Sequence, residues 1–137
     1  MTTIEKVFFL KQVSLFSTLP GEEVAEIAVA TEEVARATGE DVIREGDVDD
    51  SLFVIIAGKV RVVTTRQVLA ALGERDVVGE LALLDPAPRN ATVTAATDVK
   101  LRRLDGEAFG EILRESHEIA RGITRILVRR LRAAGAG

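Results

Sequence analysis

The chain has 137 residues, a formal net charge of −4, no Cys, and 47% hydrophobic residues, with five Phe but no Trp or Tyr. This is enough for one compact domain with an aliphatic core, and it excludes general disorder, a disulfide framework, a thiolate metal site and a Cys nucleophile. No apolar run approaches the ~20 residues of a membrane span, and the start of the chain reads as no signal peptide, so a cytoplasmic protein is expected.

Ile4, Val7, Phe8 and Leu10 open an apolar series over residues 4–16 whose first part fits a short amphipathic helix. Leu19-Pro20-Gly21 breaks it. Pro20, with Glu22 and Glu23 in the first turn, favours a second helix through Ala30 with Val24, Ile27 and Ala28 inward. From Glu32 the pattern changes to strands, predicted over residues 32–37, 41–44, 51–56, 59–64, 68–72, 91–96 and 99–104, with Val77-Val78 leading into the stretch at 78–93. Residues 45–50 read as a tight acidic turn. Gly46 and Gly58 are expected at positive φ, shaping the sheet without touching ligand. Asp105 can cap a helix from Gly106 to about Arg114. A last helix over residues 116–132 places Ile119, Ile123, Ile126, Leu127 and Leu131 on one face, with Gly122 as a weak point inside it. Residues 133–137 read as a flexible tail.

Residues 78–93 carry the chemistry. Gly79 follows two valines and opens a short helix-compatible run, which suits an anion at its free backbone N–H groups. Asp85-Pro86-Ala87-Pro88 stops that helix, since proline lacks an N–H and biases its predecessor toward extended backbone. Arg89 opens an alternation of Ala91, Val93 and Ala95 against Thr92 and Thr94, and its planar fork can grip a phosphate. Glu80 would repel that phosphate unless it accepts from a hydroxyl, and a phosphorylated ribose explains both charges.

Gly79-Glu80-Leu81-Ala82 with Pro88-Arg89-Asn90-Ala91-Thr92-Val93 resembles the phosphate-binding cassette of cyclic-nucleotide-binding domains. Gly46-Asp47, Leu52-Phe53, Gly58-Lys59-Val60 and the helical lead-in at 4–30, with Leu15-Phe16 and Leu19-Pro20, are similar to the same family, although the connection at 64–67 is short for it. The resemblance implies a mainly β fold: an eight-stranded, jelly-roll-like β-roll (a double-stranded β-helix) over 32–105. N-terminal helices precede it and C-terminal lid helices at 106–132 follow, within a single domain spanning 1–137. It also implies ligand contacts from Gly79, Glu80, Leu81, Ala82, Arg89 and Asn90, with Arg89 on the cyclic phosphate and Glu80 on the ribose 2′-hydroxyl. Ile123, Ile126 and Leu127 are the candidate lid contacts, because no Tyr or Trp can stack on the base. Asn90 replaces a residue that is small with cAMP and Thr with cGMP, and we favour cAMP.

The remaining constellations argue for no catalysis and no metal. The acidic turn lacks the ligand ladder and terminal Glu of a calcium loop, and His117, the one histidine, is expected at the surface or as a cap. Residues 1–99 hold 9 basic and 17 acidic side chains, whereas residues 100–137 hold 9 basic and 5 acidic. The acidic body argues against nucleic acid, and with no helix-turn-helix after the last helix the chain alone is not expected to bind DNA. Arg121, Arg125, Arg129 and Arg132 form a basic stripe that is a solvated face, a contact for an acidic partner, or a source of one Arg for the base. The reading is a sensor of cyclic nucleotide that relays occupancy through its last helix to an attached or partner effector, with a homodimer through that helix as a further expectation. The alternative is a module of the same fold that acts in protein–protein interaction without ligand.

Overall fold

A computed structural model describes residues 1–135. Those residues form two compact units, one of residues 31–106 and one of residues 1–30 with 107–135.

The first unit is a roll of antiparallel strands: β1 (Glu32–Arg36), β2 (Asp41–Ile43), β3 (Val48–Asp49), β4 (Leu52–Ala57), β5 (Val60–Val63), β6 (Val68–Leu72), β7 (Val77–Val78), β8 (Ala87–Pro88), β9 (Thr92–Ala95) and β10 (Val99–Leu104). They form two four-stranded sheets, ordered β1-β10-β4-β7 and β2-β9-β5-β6, and a two-stranded ribbon β3-β8. The sheets hold the eight strands that the resemblance implies, β7 being a short one that the residue pattern did not mark. The ribbon was not foreseen, because two residues inside an acidic turn and an Ala-Pro dipeptide carry no strand pattern of their own. Ile43, Phe53, Ile55, Val60, Val93 and Leu101 are among the buried side chains of the roll's core. The alternation read at 91–95 is realised, with Ala91, Val93 and Ala95 buried. Gly46 and Gly58 take φ of 88° and 93°, and a Cβ on Gly58 would meet the Asp98 carbonyl at 2.3 Å. Buried Arg102 fastens the start of β1 by donating to Thr31 Oγ1 and to the Thr31 carbonyl at 2.8 Å.

The second unit contains α1 (Thr3–Leu10), a 3-10 turn (Ser14–Phe16), α2 (Gly21–Val29), α4 (Gly106–Glu115, entering from the roll) and α5 (His117–Ala133). The short α3 (Glu80–Leu84) belongs to the roll. A reciprocal capping box starts α1: Glu5 N–H donates to Thr2 Oγ1 at 3.1 Å and Thr2 N–H to Glu5 Oε1 at 3.2 Å. Val24, Ile27 and Ala28 are buried, the inner face expected of α2. Phe16 and Phe109 meet with ring centroids 5.7 Å apart. Ser116 caps α5 by accepting from the Ile119 N–H, and His117 is exposed at its first turn.

Two expectations for α5 change. Leu131 is 58% exposed, because it lies about 120° around the helix from Ile119 at 3.6 residues per turn. Gly122 is a packing requirement: a Cβ there would lie 2.3 Å from Leu19 Cδ2, and Leu19 is only 2% exposed. The expected flexible tail does not begin at Ala133, which ends α5. Ala134 and Gly135 make its C-terminal turn, and residues 136–137 lie outside the described residues.

Helix propensity favours Ala over Gly by ~1 kcal/mol, whereas overpacking costs about 1–3 kcal/mol. Gly122→Ala should therefore destabilise the protein by about 1 kcal/mol in urea unfolding. In a Leu19→Ala background the same change should become neutral or stabilising, and destabilisation unchanged in that background would refute the close contact.

Candidate functional site

A cleft of about 490 Å³ opens in the roll and is lined by Gly79, Glu80, Leu81, Ala82, Asp85, Ala87, Pro88, Arg89 and Asn90. All six predicted ligand contacts from the cassette share this lining, gathered by α3 and the turn that follows it. Helix α3 is a single turn and a half, so its dipole is small, and fixed positive charge in the cleft comes from Arg89.

Arg89 is a buried arginine, 9% exposed. Its backbone is clamped: its N–H donates to the Asp47 carbonyl and its carbonyl accepts from Gly46 N–H, each at 2.8 Å. These bonds continue the ribbon in which Val48 pairs with Pro88 and Asp49 with Ala87. The side chain turns inward, where Nη2 donates to the Ser51 carbonyl at 2.5 Å and lies 3.5 Å from Asp49 Oδ2. Nε is buried without a hydrogen-bond partner, as is Ser51 Oγ. Gly79 must be glycine for two reasons. Its φ is +83°, and a Cβ would meet the Ser51 carbonyl at 2.5 Å and Arg89 Nη1 at 2.7 Å. The backbone at Gly79 therefore lies against the guanidinium.

Asp49 and Ser51 were missed by sequence reasoning. They lie 38 residues or more before Arg89, and the only signal was an acidic residue just ahead of a buried strand. Burial pushes the Asp49 carboxyl up, but the Ser51 N–H donating to Oδ1 at 3.0 Å and the Arg89 guanidinium outweigh it, leaving the group below its ordinary 3.8. Asn90 and Leu81 are exposed, whereas Gly79, Glu80 and Ala82 are half-buried. Ile123, Ile126 and Leu127 belong to the helical unit, where the first two are buried and the third half-buried. Among the described residues, no group of three or more His, Asp or Glu could hold a metal, and no helix is long and apolar enough to cross a membrane.

Residues 33–116 match the family model of the cyclic nucleotide-binding domain. The chain belongs to that family. The chain is 30% identical over 128 residues to a CRP-like cAMP-activated global transcriptional regulator of Mycobacterium tuberculosis, covering 90% of this chain and 57% of that protein. It is 35% identical over 115 residues to the cAMP-dependent protein kinase regulatory subunit of Emericella nidulans, covering 82% and 28%. The crystal structure of the N-terminal domain of a transcriptional regulator from Streptomyces coelicolor A3(2) superposes with a TM-score of 0.85 at 36% identity, covering 93% of this chain and 92% of that one. The chain thus spans between about a quarter and three-fifths of the curated relatives it matches.

A depressed folded value for Asp49 means that its stabilisation is present above the unfolded value of 3.8 and is lost as pH falls through the lower folded value. Asp49→Asn should lose stability at neutral pH and flatten the decline in stability below about pH 4. Chemical denaturation at stepped pH measures both, and parallel curves for parent and variant would remove Asp49 from the Arg89 assembly.

Proposed function

We propose that this domain is a non-catalytic sensor that binds a cyclic nucleotide, cAMP in preference to cGMP, in the cassette cleft and relays occupancy through α5 to an attached or partner effector. One observation carries the reading. Arg89 is buried beside the cleft with Nε unsatisfied, and a buried donor left without an acceptor costs about 1–3 kcal/mol. Arg89 is the one cationic side chain of the cleft lining, so an anion held there would be answered by its guanidinium. Glu80 in the same lining gives a carboxylate to receive a ribose hydroxyl. The relatives named for cAMP support the choice of nucleotide. For α5 to close over a base, Ile123 and Ile126 would have to exchange burial they already have, whereas Leu127 is half-exposed and available. Signalling needs ligand to favour one of two arrangements of α5.

Calorimetric titration should show cAMP binding in the micromolar range or tighter. Arg89→Ala should weaken it by about 2–5 kcal/mol and Glu80→Gln by about 1–3 kcal/mol, with both variants folded. No heat and no thermal shift at millimolar cAMP would leave the ligand-free interaction module as the better reading.

Amide hydrogen exchange tests the relay separately. Residues 117–133 should gain protection with cAMP; protection confined to the cassette would mean that binding occurs without engaging α5.

A further inference from the structure

The sequence singled out an arginine stripe on α5 that the sensor reading leaves unused. Arg121, Arg125, Arg129 and Arg132 are all exposed, and among the described residues none of their side chains makes a hydrogen bond or ion pair. Arg130, on another side of the helix, is engaged by Ser14 Oγ. The four free guanidinium groups fall within about 80° of arc and extend about 16 Å along the axis, given 3.6 residues per turn and 1.5 Å per residue. Beside them run Val128 and Leu131, 38% and 58% exposed. The outward face of α5 is thus a basic row next to an apolar row; near its N-terminal end Glu118 and Glu23 of α2 line the same cleft as Arg121 and Arg125, so the unopposed charge lies toward Arg129 and Arg132.

We propose that this face docks an acidic amphipathic helix of a partner protein, with carboxylates at i, i+4 and i+8 against the arginines and an aliphatic row against Val128 and Leu131. The charge row defines the sign of the partner and its spacing defines a helix. The apolar row separates this occupant from nucleic acid, whose phosphates would engage the arginines but leave Val128 and Leu131 uncovered. The acidic roll, with 14 acidic and 10 basic side chains over residues 31–106, further disfavours a long polyanion. Self-pairing through α5 would bring two arginine rows together, and a chain that sediments as a dimer through this face would overturn the proposal. The proposal holds whether or not the cleft binds nucleotide.

The test uses the whole chain and a labelled synthetic helix with Glu at i, i+4, i+8 and i+11 and Leu beside them, read by fluorescence anisotropy. A peptide of the same composition with scrambled spacing, duplex DNA, and vesicles of anionic phospholipid are the comparisons. The ordered peptide should bind best. Arg125→Glu with Arg129→Glu should weaken it roughly tenfold or more while helix content stays unchanged, and a Lys-for-Glu peptide should then bind the doubly reversed variant. Equal binding of ordered and scrambled peptides, tighter binding of DNA or vesicles, no peptide binding, or insensitivity to the charge reversal would each overturn the proposal.

Discussion

A buried guanidinium cannot shed its charge, so the surroundings of Arg89 have to answer it. The Ser51 carbonyl and the Asp49 carboxylate do so at Nη2, and the residue also lines the cleft. That single constraint explains several local features together. The β3-β8 ribbon holds the backbone at Arg89 so that the side chain enters the roll at a set place. Gly79 is required because any side chain there would occupy the space of the Ser51 carbonyl and the guanidinium. The Asp85–Pro88 stretch ends α3 after Leu84 and delivers the chain into the ribbon. The cassette therefore holds one cation, pre-oriented, in the lining of the cleft.

Pre-orientation matters because ordering a long side chain on binding costs free energy that the contact must recover. Here the arginine is ordered by the fold. Its contacts with Ser51 and Asp49 limit the charge it has to spare, yet they also prevent it from escaping into solvent. Val78 and Ala91 are buried on either side of the cassette, which anchors both of its ends in the roll.

The helical unit follows a different logic. It is held by aliphatic and aromatic packing around Phe16, Phe109, Ile27 and Ile119, with close approach bought at Gly122. Its outward surface carries the charge. A face that is apolar inward and basic outward lets α5 serve packing and recognition at once, on opposite sides of one helix.

The cassette was legible in the sequence, as were the strand alternation at Ala91–Ala95 and the inner faces of α2 and most of α5, because each is written in residues close together and in periods of two or 3.6. Glycines at positive φ were legible for the same local reason. Long-range pairing decided the rest. The partners of Arg89 come from the acidic turn and the residue that follows it, whose pattern named no contact with the cassette. The ribbon consists of four residues that have strand geometry only because they meet. Gly122 looked like a defect in a helix until Leu19 was placed against it, and Leu131 looked like core until the helical phase accumulated over three turns. Composition and periodicity determine which residues seek burial and which backbone they adopt; which carboxylate reaches a particular arginine is determined by contacts between segments distant in the chain, and these exist only in the folded protein.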